Sequence, residues 1–249
     1  MTGSDSPCRL WCPVRYPESQ EPPHFPCSAI SLCFYVFIAK PRIRRAGKDT
    51  PLRLIWRRLA PSPQTLNEWP VHDIGEYRFL GQINFSEIQN GPASLPKVGL
   101  LSLFYAFDEN GEVFWGDDGY VLGYYWPNTE ELSLYPDPEG VVQARKILLQ
   151  TGVEIPRHEE LRQDWPFDTD ALYAIQDLEG ICDDYILGYP SHSSLAYDPT
   201  PGEDWVSLLT LSSHDELEWC WHDGDKLMIF IEKSKLIQKD FGNLKSDAG

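Results

Sequence analysis

The densest group of side chains able to do chemistry lies between residues 214 and 225, in HDELEWCWHDGD. His214, Asp215, Glu216, Glu218, His222, Asp223 and Asp225 all fall in that stretch. Imidazole and carboxylate together suit a divalent cation, and His214, Glu216, His222 and Asp223 are the candidate ligands. On a strand, Glu216 and Glu218 would share one face, because side chains alternate with period 2. The competing reading is a solvated hairpin with Asp223-Gly224 as its turn. An acidic chain produces such turns readily, so the hairpin is preferred. A second candidate is His192-Ser193-Ser194, beside Gly188-Tyr189-Pro190. A serine nucleophile needs a base held in place by a third group, and sequence neighbours rarely have that geometry. A polar loop is the expectation there. Phosphate loops, dinucleotide fingerprints, nucleophile elbows and HExxH are all missing from the sequence.

Aromatic rings are the other resource. Trp115, Trp126, Trp165, Trp205, Trp219 and Trp221 are candidates to line a groove for a peptide or sugar. Large rings also fill small β cores, and for any one of them core is the expectation. Trp219 and Trp221 would point to one side of a strand, with Cys220 on the other. Gln82 interrupts an apolar strand; if buried it must be hydrogen-bonded, and a structural tie is preferred to a ligand contact. The candidate binding residues are therefore Gln82, Tyr189, His192, Trp219 and Trp221. No residue is assigned a catalytic role, and no cofactor is expected.

These side chains need a scaffold, and its best marker is 79–105, FLGQINFSEIQNGPASLPKVGLLSLFY. Strands are predicted at Tyr77–Asn84 and Leu100–Phe107, the second apolar on both faces and so buried on both. Asn110-Gly111 signals a hairpin, with Glu112–Trp115 as its return strand. Further strands are expected at Tyr120–Trp126, Leu132–Tyr135, Tyr185–Tyr189, Trp205–Leu211 and Lys226–Glu232. Helices are predicted from Asp137-Pro138 to Gly152, with Val141, Ala144, Ile147 and Leu148 at helical spacing, and from Asp168 to Gly180. Glu159–Asp164 reads as a short helix or turn, and Ser234–Lys239 as a closing helical turn. VSLLTLSS followed by GDKLMIFI echoes FLGQINF followed by GLLSLFY. The echo predicts two related β-rich halves sharing one core.

Composition bounds the function. The 249 residues suffice for one sizeable core without disulfides or metal. The net charge is −17. The first 70 residues carry 10 Lys and Arg against 5 Asp and Glu, whereas the rest carry 11 against 33. So acidic a surface argues against nucleic acid and anionic membrane and leaves a basic protein as the expected kind of partner. Four of the six Cys fall in the first 33 residues, at spacings that match neither a secreted disulfide framework nor a zinc site. Cys27–Ala39 is apolar but too short to span a membrane, and KPRIRR follows it where a secretory signal would have charge in front. Cytoplasmic localisation is expected.

The ordered set FLGQINF, LPKVGLLSLFY, ILGYP, SLLTL, WHDGDKLMIFI and a final KDF resembles the bacterial YwqG-like family, over roughly residues 60–242. The resemblance implies an α+β, mainly β roll with a few connecting helices. It brings no established activity or catalytic residue. The family's opening Gly-Gly-x-Pro is replaced here by LAPSPQTLNEWP. Residues 1–58, rich in Cys, Pro and Arg, do not conform; they are expected to be disordered or a spurious extension from an unnatural reading frame or over-extended start. Residues 59–243 then form the domain and 244–249 a frayed tail. The functional expectation is a non-catalytic binding or interaction module. The alternative is a hydrolase or metal-dependent enzyme using the acidic 214–225 cluster.

Overall fold

In the computed structural model the described residues are 32–38, 59–60, 70–88, 91–108, 110–130, 132–134, 147–153 and 183–249. They are mainly β. Strands β1 (Leu32–Ile38), β2 (Leu59–Ala60), β3 (Val71–His72), β4 (Gly75–Asn84), β5 (Leu100–Phe107), β6 (Val121–Trp126), β7 (Ser133–Leu134) and β8 (Ile147–Val153) come first. Strands β9 (Tyr185–Ile186), β10 (Trp205–Ser212), β11 (Lys226–Glu232) and β12 (Lys245–Ala248) follow. A six-residue helix, α1 (Lys233–Gln238), separates the last two.

Two four-stranded antiparallel sheets carry the core. One has the order β3-β4-β5-β6 and the other β12-β11-β10-β9, so both are meanders of consecutive strands. Strands β5 and β11 occupy inner positions. Their runs LLSLFYAF and KLMIFIE are buried on both faces, as unbroken apolar runs require. Side chains of both sheets join one cluster, including Tyr105 and Leu103 from the first and Leu211, Leu227 and Ile229 from the second. Two smaller ladders, β1-β8 and β2-β7, complete the pairing among the described residues.

The two central hairpins share a register. Strand β4 is bulged against β5 between Phe79 and Gly81, and β10 against β11 between Ser207 and Leu209. Matching the bulges puts Phe79↔Phe104 on Ser207↔Phe230, and Gln82↔Ser102 on Thr210↔Met228. The loops also cross over. Trp115, from the β5–β6 loop, packs on His222 of the β10–β11 loop at 5.5 Å. Phe241, from the β11–β12 connection, stacks on Phe85 just after β4 at 6.1 Å. The edge strands depart from this match, since β3 pairs with the start of β4 whereas β9 pairs with Leu209 and Thr210.

Several expectations are corrected. Glu112–Trp115 is not a return strand: the Asp108 carboxylate accepts the N–H groups of Asn110, Glu112 and Val113 and holds that segment as a loop. Ile147–Val153 is a strand rather than a helix end, paired with β1 from Leu32↔Val153 to Ile38↔Ile147. Tyr185–Tyr189 stops as a strand at Ile186, because Leu187 and Gly188 turn to φ +60° and +106°. The tail is not frayed: β12 pairs with β11, and Leu244 and Ala248 are buried. The helices expected over 137–146, 159–164 and 168–180 lie outside the described residues, as does the rest of 1–58 beyond β1. Among the described residues no helix is long and apolar enough to cross a membrane.

Candidate functional site

The stretch from His214 to Asp225 is neither a strand nor a flat hairpin. It folds as two short 3-10 turns, Asp215–Leu217 and His222–Gly224, the first closed by an isolated bridge between His214 and Trp219. Three of its residues sit in the left-handed region: Glu218 at φ +56°, His222 at +32° and Asp223 at +53°. Each costs on the order of 1 kcal/mol without glycine. Ser213 locks the loop's base. Its hydroxyl donates to the Asp225 carbonyl at 2.9 Å and accepts the Trp221 N–H at 2.9 Å. Trp221 is thereby driven into the core, 3% exposed and edge-on to Tyr105 at 5.1 Å. Trp219 is half-buried against Trp221, with ring centroids 5.9 Å apart. Cys220 faces solvent.

The two histidines of the loop go to different carboxylates. His214 Nε2 lies 2.8 Å from Asp184 Oδ2. Asp184, 5% exposed, also accepts the Ser212 N–H at 2.6 Å, so it ties the end of β10 to the start of the loop. His222 Nδ1 faces Asp225 Oδ2 at 3.3 Å and Ser194 Oγ at 3.4 Å. A serine–histidine–carboxylate relay needs the two partners on opposite ring nitrogens. Here both approach the same nitrogen, so this trio is not such a relay. Asp223 is exposed, and the side chain of Glu216 lies outside the described residues. Among the described residues no group of three or more His, Cys, Asp or Glu is placed to hold a metal ion. The candidate ligands His214 and His222 are instead committed to separate protein ties.

The other candidates are structural in their placement. Gln82 Nε2 donates to Ser102 Oγ at 3.0 Å across the β4–β5 ladder, and Ser102 is fully buried. His192 is buried, and the Tyr185 hydroxyl donates to the Tyr189 carbonyl at 2.7 Å, fastening the loop after β9. Of the five candidate binding residues only Trp219 and Tyr189 keep partial exposure while lying on loops.

Sequence reasoning missed a neighbouring surface. The loop after β5 presents Phe114, 58% exposed, edge-on to the half-buried Trp115 at 6.3 Å. The Asp117 carboxylate accepts the Phe114 N–H at 2.8 Å, closing that turn. Strand β12 buttresses it, with the Ser246 hydroxyl donating to the Trp115 carbonyl at 2.7 Å. From the other side the Tyr197 hydroxyl, on a residue 57% exposed, donates to Asp247 Oδ2 at 2.7 Å. Its one available signal was the Phe114-Trp115 pair between the Asn110-Gly111 and Gly116-Asp117 turns.

Residues 60–246 match a family model described as Domain of unknown function (DUF1963). The chain belongs to this family. No curated protein matches the chain.

Proposed function

We propose that this DUF1963 protein is a non-catalytic binding module for a basic partner protein. One observation carries the reading. The imidazoles nearest the densest acidic stretch are taken up in ties that shape the loop, His214 by buried Asp184 and His222 by Asp225 and Ser194 at one nitrogen. The excess of 33 acidic over 11 basic residues beyond position 70 suits a cationic partner and disfavours nucleic acid and anionic membrane. The ordered motifs of the YwqG-like family support the finer placement as a bacterial, cytoplasmic protein. The matched bulges and crossed loops support a β-roll of two related halves.

The second reading is a hydrolase or metal-dependent enzyme. The His214–Asp184 contact favours it, because a carboxylate-oriented imidazole is the way a general base is held. The test is chemical cross-linking of the tagged full chain in cells, with purified candidates rebound by calorimetry. The expected result is a basic protein that rebinds at micromolar Kd or better. A stoichiometric bound metal, or a turnover abolished by His214→Ala, would overturn the reading.

A further inference from the structure

The reading above leaves open where on the molecule a cationic partner would touch. An acidic surface alone cannot answer, since charge is spread over the whole domain. Exposed aromatic rings can, because they are costly to leave in water and are concentrated where partners dock. Among the described residues the large exposed hydrophobic side chains are Val71, Ile74, Val98, Phe114, Tyr197 and Ile237. Of these, Phe114 and Tyr197 are aromatic, and Asp247 of strand β12 links their loops, its carboxylate accepting from the Tyr197 hydroxyl. The backbone at Gly116 lies against Asp247, since a Cβ built there would be 3.9 Å from its carboxylate.

The face is built as well as exposed. Phe114 and Trp115 are fixed edge-on, and Trp115 is backed by His222 at 5.5 Å. At the turns that carry the rings stand Asp117, which accepts the Phe114 N–H, and Asp247, which accepts the Tyr197 hydroxyl, and neither forms an ion pair to a Lys or Arg of the described residues. Asp118 alone on this face has a cation, Lys245. Aromatic faces rimmed by carboxylates are the environment that a guanidinium prefers, because it stacks on a ring and pairs with a carboxylate at once. The chain uses that stacking elsewhere: the Arg78 guanidinium lies 3.2 Å from the Phe107 ring centroid.

We infer that the face formed by Phe114, Trp115, Tyr197, Asp117 and Asp247 is a docking surface for an arginine-bearing segment of a partner protein. The inference rests on the binding-module reading and adds the place and the side chain recognised. Ammonium groups bind there more weakly, because a lysine cannot stack and fork together.

The test titrates the full chain with three capped heptapeptides, GRGRGRG, GKGKGKG and GEGEGEG, following Trp fluorescence and calorimetry at low and physiological salt. The expected order is arginine tighter than lysine by threefold or more, with no binding of the glutamate peptide. Phe114→Ala and Asp247→Asn should each weaken the arginine peptide by about fivefold to tenfold. Glu203→Gln, at the opposite end of β10, should leave it unchanged. Asp117→Asn serves as a second charge variant if Asp247→Asn disturbs β12. Arginine binding that survives all the face variants overturns the docking surface while leaving the binding-module reading standing. Failure of every cationic peptide to bind even at low salt overturns both. Equal affinity for arginine and lysine overturns the guanidinium specificity.

Discussion

Replacing Asp184 separates a structural role for the His214 contact from a catalytic one. Asp184 is 5% exposed, and its two oxygens serve two donors: the Ser212 N–H at 2.6 Å and the His214 ring at 2.8 Å. In Asp184→Ala both donors lose a charged acceptor, and one of them is a backbone N–H at the end of an inner strand. Hydrogen bonds to charged groups contribute about 1.5–3 kcal/mol each, so the loss should be about 3–6 kcal/mol. For a domain of this size that lowers Tm by roughly 6–24 °C. Asp184→Asn keeps an oxygen for Ser212, and the imidazole can change tautomer to accept from the new amide. Its cost should be only about 1–2 kcal/mol. Urea unfolding of the full chain, read by the buried Trp221, measures both. Asp184→Ala within about 1 kcal/mol of the parent would refute the reasoning, because a carboxylate that holds β10 and the loop together cannot be dispensable.

Other outcomes follow from the same geometry. Burial pushes the phenols of Tyr120 and Tyr105 above their ordinary value, with Arg78 opposing the shift at Tyr105. Above pH ~10 the unfolded chain then loses phenolic protons that the folded chain keeps, so unfolding releases protons and stability falls as pH rises. Tyr120→Phe should flatten that alkaline slope in denaturant titrations by up to about 1.4 kcal/mol per pH unit, and an unchanged slope would contradict the assignment. A Cβ at Gly123 would sit 2.7 Å from the Phe241 carbonyl, whereas one at Gly81 meets nothing within 4 Å. Gly123→Ala should therefore cost about 1–3 kcal/mol and Gly81→Ala within about 0.5 kcal/mol of nothing, compared by thermal unfolding. Removing residues 245–249 strips a ladder of four residue pairs from β11. That should cost about 2–4 kcal/mol, and a truncated chain as stable as the parent in urea would mean β12 does not pair in solution.

The inner strands were legible because their chemistry is one-dimensional. LLSLFYAF and KLMIFIE are apolar on both faces, so they need no partner to be recognised, and their observed bounds are those expected. The closing helix at Lys233–Gln238 was legible for a similar local reason. What escaped depends on distant partners. The β12 sequence KSDA has no apolar alternation, and only pairing with Leu227–Phe230 makes it a strand. Ile147–Val153 has residues at helical spacing, but the β1 ladder decides its conformation. Glu112–Trp115 looked extended because nothing in its composition reveals that Asp108 gathers three of the local N–H groups.

The candidate site divides the same way. The 214–225 stretch was visible as a chemical cluster, yet its shape turns on Asp184 and Ser194, which are remote in sequence. Trp221, paired with Trp219 as a candidate binding residue, is buried in the core, whereas Trp219 beside it stays partly open. The Phe114–Tyr197 face combines residues 83 positions apart through β12, a strand that the sequence did not announce. Period-2 reasoning on 214–221 failed because Glu218 in the left-handed region ends any alternation.

Hydrogen exchange of the full chain with and without GRGRGRG tests the account most directly. Protection confined to the amides of 110–118, 193–198 and 245–249, absent in Phe114→Ala, is the predicted footprint. Protection centred on the β3–β4 hairpin instead, or spread evenly over the acidic surface, would contradict a built docking face.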